Sequence, residues 1–375
     1  MNLLTIDTPS LILEEGKMNA NIARMREKAR SLGVTLRPHL KTSKCWEVAK
    51  RQLWTPEGPA TVSTLKEAEE FALHGVKDMI YAVGMAPQKL ERAAALIRQG
   101  VDLKLIVDNP VSARYISDFA RENHLEIKVL IEIDCDGHRS GLKPEDAEIL
   151  EVARAIEAPA KLAGVLTHAG GSYDVDTPEA LLARSEQERD GIVAAARMLR
   201  EAGFTVDIVS VGSTPTALSD QDLTGVTELR AGVYVFFDLF QAGVGICEVK
   251  DIALSLLVTV IGHQKEKGWV ITDGGWMALS RDRGTANQKV DQGYGLVCDI
   301  EGHVIDGLWV SSANQEHGII SARPGKTIDL EDFPIGTRLR ILPNHACPTG
   351  AQHSKYFVVD GSIEIKDCWS RFSGW

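Results

Sequence analysis

The chain predicts a (β/α)8 barrel followed by a mostly β domain. Two observations carry that prediction. Eight short, apolar, β-branched runs alternate with helical patterns over the first ~230 residues, the texture of parallel strands covered on both faces. After about residue 248 the helical patterns give way to strands separated by turns such as Glu301–Gly302 and Asp360–Gly361. An open doubly wound sheet is the competing architecture, but it would more often carry a glycine-rich turn after its first strand, and none is present.

The barrel strands are read at Val34–His39, Thr61–Leu65, Met79–Gly84, Leu103–Asp108, Val129–Asp134, Leu162–His168, Val206–Gly212 and Glu228–Tyr234. Helices are predicted at Met18–Leu32, Leu65–His74, Pro87–Arg98, Pro110–Asn123, Glu145–Ile156 and Pro178–Ala202. Gly75 and Gly100 supply C-terminal stops, and prolines sit at first-turn positions. The β domain is read from Ala253–Gln264, Gly268–Asp273, Tyr294–Asp299, Leu308–Ser312, Arg338–Pro343, Tyr356–Asp360 and Ser362–Lys366. The expected domains are therefore 9–248 and 249–375, with residues 1–8 able to join the second.

Composition bounds the function. The 375 residues are 44% hydrophobic and 25% charged, ordinary values for a globular chain. The formal charge of −11 repels phosphate backbones and argues against nucleic-acid binding. No apolar run is long enough to span a bilayer, and Met1–Ile6 has no signal-peptide character. Six scattered cysteines without a CxxC pair read as reduced thiols of a cytoplasmic protein.

Barrel enzymes place chemistry at the C-terminal ends of their strands. There the sequence puts Lys41, Arg139, His168 with Tyr173 beyond it, Gly212-Ser213-Thr214, and Gly232-Val233-Tyr234. The last two segments follow strands seven and eight, where barrels often hold phosphate; a Gly-Ser-Thr turn is equally a plain helix cap. Lys41 is either a solvated charge or an amine that forms a Schiff base with an aldehyde. A lysine and a phosphate cradle on one face suggest pyridoxal phosphate, with His168 stacked on its ring and Arg139 on its phenolate oxygen. The competing readings are a core histidine and a salt bridge from Arg139 to Asp134 or Asp136. Farther on, His345 and Cys347 stand two apart on a predicted strand or its extension, so both could grip one divalent metal; packing and chance are the alternative.

Ten segments in order resemble a known family: Thr8–Pro9, Arg37–Lys41, Thr61–Glu69, Asp136–Gly141, Thr167–Tyr173, Ser210–Ala217, Glu228–Asp238, Asp273–Thr285, Asn314–Gly318 and Pro343–Cys347. The chain is similar to fold-type III pyridoxal phosphate enzymes with an alanine racemase-like barrel. Within these it resembles the D-serine dehydratase and D-threonine aldolase group, nearest the D-threo-3-hydroxyaspartate dehydratase branch. The resemblance implies pyridoxal phosphate on Lys41, a metal on His345 and Cys347, and D-configured 3-hydroxy amino acid substrates. It also implies a homodimer. The aldolase branch typically has aspartate where this chain has Cys347, which favours the dehydratase branch.

The expected reaction is β-elimination of water from 3-hydroxyaspartate or D-serine, giving a 2-oxo acid and ammonia. Retro-aldol cleavage to glycine and an aldehyde is the rival, and a non-catalytic pyridoxal phosphate carrier a more distant one. Arg281 and Arg283 are candidates for the substrate's β-substituent, with an exposed loop paired to Asp282 as the alternative, and His317 is a further candidate substrate residue. Thiolate and imidazole suit zinc, while cobalt, nickel, manganese or magnesium would need added oxygen ligands.

Overall fold

The computed structural model describes residues 1–219 and 221–375. It divides into two compact units: Arg24–Gly232 with Gly374–Trp375, and Met1–Ala23 with Val233–Ser373. The division falls inside helix α1 (Glu15–Ser31), and strand β1 (Ser10–Glu14) goes with the second unit. Segment 233–248, read from the sequence as barrel, also groups with the second unit.

The first unit contains eight parallel strands: β2 (Thr35–Leu36), β3 (Ala60–Val62), β4 (Asp78–Gly84), β5 (Asp102–Val107), β6 (Lys128–Ile133), β7 (Lys161–Thr167), β8 (Ile208–Val211) and β9 (Glu228–Leu229). Their order is β2-β9-β8-β7-β6-β5-β4-β3. The ring closes between its two ends, where the Leu40 N–H donates to Thr61 and the Thr61 N–H to Pro38. Helices α2 (Trp46–Gln52), α3 (Leu65–Leu73), α4 (Leu90–Arg98), α5 (Pro110–Glu122), α6 (Glu148–Ala155) and α7 (Pro178–Glu201) alternate with the strands, and the short α8 (Thr214–Leu218) follows β8. Thr64, Asn109 and Thr177 cap α3, α5 and α7 through their side chains.

Both faces of these strands are buried, which explains their near-continuous apolar runs. Met79, Leu103, Leu105, Val129, Ile131, Val165 and Val209 occupy one face; Ile80, Ile106, Leu130 and Leu166 form a cluster on the other. The latter face also carries charge that the sequence reading did not anticipate. Arg37 donates to Glu228 at 2.9 Å and to Asp78 at 2.7 Å, and Lys104 reaches the same Asp78 at 2.7 Å. Four ionised groups share these bonds, so no buried charge stands alone.

Some elements are shorter than expected. The ladders of β2 and β9 last only two residues, although the Arg37 and His39 N–H groups still reach Leu229 and Ala231. On the opposite side, toward β3, Pro38 has no N–H to donate, and its carbonyl accepts from Thr61. Val233–Val235 is a 3-10 turn rather than the end of a strand.

The second unit is a nine-stranded sheet adding β10 (Leu254–Gln264), β11 (Trp269–Thr272), β12 (Gly295–Cys298), β13 (Val304–Ala313), β14 (Gly318–Ala322), β15 (Arg338–Pro343), β16 (Lys355–Val359) and β17 (Asp367–Ser370) to β1. The order is β11-β14-β13-β12-β15-β10-β1-β16-β17; an extra β11–β10 pairing closes six of them into a ring. Only β1–β16 is parallel. Leu256, Val258, Val297, Val310, Ile320 and Ile341 fill its core. Sequence reading missed β1 and β14, and it placed a strand at Ser362–Lys366. There only Glu364 makes an isolated bridge, to Asn2, and the strand lies at Asp367–Ser370. This unit also holds α9 (Leu239–Val244), α10 (Trp276–Leu279) and α11 (Ala346–Ala351). No helix among the described residues is long and apolar enough to cross a membrane.

Candidate active site

At the C-terminal ends of the barrel strands the structure gathers positive charge. Lys41 is exposed in the turn after β2. It lies close enough, with Arg139 and Arg230, to act electrostatically on His39 and His168. Burial, and then those cations, hold the His39 imidazole far below its ordinary range. Burial likewise drives His168 down to about 3, against the hydrogen bond that Gly212 provides. Both rings are therefore neutral at pH 7. The His168 Nδ1 faces the Gly212 carbonyl at 2.7 Å, and an acceptor there fixes the tautomer with Nδ1–H as donor. Tyr173 lies beside His168, ring centres 6.1 Å apart.

Arg139 pairs with neither aspartate expected of it. Its partner is Glu132 on β6, at 3.3 Å. Asp134 instead accepts the N–H groups of Gly137 and His138, closing the turn, and Asp136 accepts that of Gly171. The Arg139 side chain remains half exposed.

The loop after β8 combines a cap with a cradle. Ser213 is the N-cap of α8 in a reciprocal capping box with Thr216, and its hydroxyl also meets Ser172 at 2.8 Å. Thr214 is different: its hydroxyl is buried and has no protein partner. Gly212 is required by close approach, because a Cβ there would lie 1.8 Å from the Arg230 carbonyl oxygen. A Cβ at Gly232 would crowd His39 and Thr42 at 3.2 Å. Val233 and Tyr234, also proposed for the cradle, are buried in the 3-10 turn of the other unit.

Sequence reasoning missed Glu188. It lies fully buried on α7, and one carboxylate oxygen accepts both the Ala169 N–H at 3.1 Å and the Gly212 N–H at 2.9 Å. The loops after β7 and β8 thus share one anchor. Nothing in the polar run Ser185–Asp190 singles out this glutamate, since burial alone distinguishes it.

These features fit pyridoxal phosphate. An unpartnered buried hydroxyl, two close-packed glycines and three cations suit a phosphorylated anion, and a lysine beside them suits an aldehyde.

The second unit holds the His345 and Cys347 pair on a different local structure from the one expected. His345 is the N-cap of α11 and Cys347 lies in its first turn, so strand alternation does not bring them together. Pro348 suits a first helical turn and not a strand. The two side chains nonetheless meet in a hydrogen bond. His345 Nδ1 faces Asp282 at 2.7 Å, and the following N–H, of Ala346, donates to the buried Asp238 at 2.8 Å. Burial lowers the His345 pKa, but Asp282, Cys347 and Asp238 outweigh it and lift it to about 11. Three groups able to carry negative charge around one imidazole, with a thiol and a ring nitrogen converging, suit a divalent cation. Two protein donors leave coordination positions for other oxygens; among the described residues no group of three or more His, Cys, Asp or Glu forms a fuller cage.

The substrate candidates are placed less pointedly. Arg283 pairs with Asp291 at 2.6 Å, and Arg281 lies over the Trp276 ring at 5.2 Å. Asp282 serves His345 rather than either arginine. His317 is exposed in the turn between β13 and β14.

Residues 14–239 match the family described as alanine racemase, N-terminal domain, and residues 253–359 a serine dehydratase domain. The chain is 54% identical to D-threo-3-hydroxyaspartate dehydratase of Delftia sp. (strain HT23), covering 100% of this chain and 99% of that one. It is 30% identical to D-serine dehydratase of Dictyostelium discoideum (99% and 98% covered) and 30% identical to D-threonine aldolase of Arthrobacter sp (98% and 92%). The solved structure of the Delftia enzyme superposes with a TM-score of 0.96 at 53% identity, covering 100% of both chains. Two further structures of a D-threo-3-hydroxyaspartate dehydratase, each with a TM-score of 0.97, carry a histidine-to-alanine and a cysteine-to-alanine change two residues apart. The cysteine variant is in a metal-free form.

Proposed function

Because the chain belongs to the family that joins an alanine racemase N-terminal domain to a serine dehydratase domain, we propose that it is a lyase that removes water from D-configured 3-hydroxy amino acids. The products are a 2-oxo acid and ammonia. D-threo-3-hydroxyaspartate, the substrate in the name of the 54% identical relative, is the preferred candidate, with D-serine second.

Pyridoxal phosphate supplies an electron sink for charge developing at the substrate's Cα, and a divalent metal a Lewis acid for the departing hydroxide. Lys41 would hold the cofactor's aldehyde carbon through its Nζ, and the same amine, once released, takes the Cα proton. The Thr214 hydroxyl and the backbone at Gly212, Ser213 and Gly232 hold the phosphate. His168 presents a neutral ring whose Nδ1–H is committed to Gly212, so it packs on the cofactor without adding charge. Arg139 is free on its exposed side to donate to the phenolate oxygen. His345 and Cys347 hold the metal.

The observation that carries the reading is the meeting of His345 and Cys347 beside Asp282 and Asp238. It supports metal-assisted loss of hydroxide over a carrier role. Conversion of D-threo-3-hydroxyaspartate, D-serine and D-threonine, assayed with and without chelator, tests it. Ammonia and oxo acid released only with metal present are the expected products; glycine and an aldehyde would establish the aldolase reading instead. The same proposal includes a cytoplasmic homodimer, which sedimentation at working concentration checks.

A further inference from the structure

If His345 is a metal ligand, something must decide which ring nitrogen faces the metal and in what direction. A histidine on a short connection has two rotatable bonds and two nitrogens. The structure supplies a determinant on the loop 280–285.

Asp282 is rigidly presented. Its N–H donates to the Ser280 hydroxyl at 3.0 Å, and its Oδ1 accepts the Gly284 N–H at 3.0 Å. That leaves Oδ2 for the His345 Nδ1, 2.7 Å away. The loop is fastened to the β15–α11 connection on both sides of this contact. On one side, the Thr285 N–H donates to Asn344 Oδ1 at 3.1 Å, and Asn344 Nδ2 donates back to the Thr285 hydroxyl at 2.6 Å. On the other, the Thr349 hydroxyl donates to the Leu279 carbonyl at 2.6 Å. The backbone beside the histidine is held separately, through the Ala346 N–H on Asp238. Asp282 is therefore placed by its own loop and by Asn344 and Thr349, neither of which needs a metal to be in position.

An ionised carboxylate can only accept, so His345 Nδ1 must carry the proton. Nε2, on the opposite edge of the ring and in the same cluster as the Cys347 thiol, is then the nitrogen whose proton a metal displaces to gain a lone pair. We propose that Asp282 is the positioning residue of the metal site, fixing the tautomer and direction of His345 so that Nε2 and the Cys347 sulfur converge on one cation. This rests on the reading of His345 and Cys347 as metal ligands. It also gives Asp282 a purpose distinct from the arginines on either side of it.

The test uses the pyridoxal phosphate-loaded protein stripped of metal, with Zn2+ titrated against a chromophoric chelator. Asp282→Ala should raise the zinc Kd about 10–100-fold. Asp282→Asn, which keeps an acceptor but loses the charge, should fall between Ala and the native protein. Cofactor content should stay unchanged in both, and the loss of zinc affinity should exceed any fall in the unfolding stability of the metal-free protein. A zinc Kd for Asp282→Ala within about threefold of native would overturn the inference, as would a lowered unfolding midpoint with native zinc affinity, the mark of a merely structural carboxylate. His345→Ala is the control that separates the two levels: if it too keeps native zinc affinity, the metal reading itself fails.

Discussion

His168 in the barrel unit and His345 in the β unit are the same side chain in opposite surroundings. Around His168 stand Lys41, Arg139 and Arg230, with burial added, and the ring is held neutral down to about pH 3. Around His345 stand Asp282, Cys347 and Asp238, and proton binding persists to about 11 although burial opposes it. The contrast shows how the surroundings, and not the side chain, set its charge. A cluster of cations with neutral imidazoles suits an anion by its charge; a cluster of carboxylates and a thiol suits a cation. The histidine in each case reports the sign of the groups around it.

The contrast breaks first at Lys41. Lys41→Ala should lower turnover by roughly a thousandfold or more and abolish the visible absorption of lysine-bound cofactor. Borohydride reduction and peptide mapping of the native protein should place the label on Lys41, and a label on another lysine would remove Lys41 from the proposed cofactor site. On the other side, Cys347→Ala should leave cofactor loading intact while ammonia release slows by about a thousandfold, the effect of losing several kcal/mol of Lewis-acid stabilisation. Unchanged ammonia release with metal analysis showing an empty site would reduce the pair to packing.

Thr214→Glu sharpens the comparison more gently. It sets a like charge against the phosphate and should weaken cofactor affinity roughly ten- to a hundredfold, measured by fluorescence titration. The smallest effect is on stability. The folded His168 pKa lies below the ordinary 6.5, so below that pH the unfolded chain binds a proton that the folded chain does not. Stability should therefore fall as pH drops from 6.5 toward 3, by about 1.4 kcal/mol per pH unit for this one group. Urea unfolding of native and His168→Asn protein at pH 7 and pH 5 checks it: the variant should lose less on acidification.

The barrel was legible because its strands are buried on both faces, and such runs announce themselves without long-range information. Lys41, His168 and Gly212 followed from their places at strand ends. Three other features were not legible, for physical reasons. β1 is five residues paired with β10 and β16, hundreds of positions away, and no local pattern encodes those partners. The charges of Arg37, Asp78, Lys104 and Glu228 look like surface residues until the ring closes around them. His345 and Cys347 do meet, but through a helix start rather than the strand alternation expected, since Pro348 belongs to the first turn of α11.

Glu188 has a consequence for how this barrel can change. One oxygen of a side chain on α7 accepts from the first residue after His168 and from the first glycine of the loop after β8. Those two loops are not independent modules. Lengthening either would carry away a donor and leave the carboxylate half-served in the interior, so viable insertions should begin beyond Gly212 and beyond Ala169. Grafting either loop from another barrel should succeed only when the middle of α7 is transplanted with it.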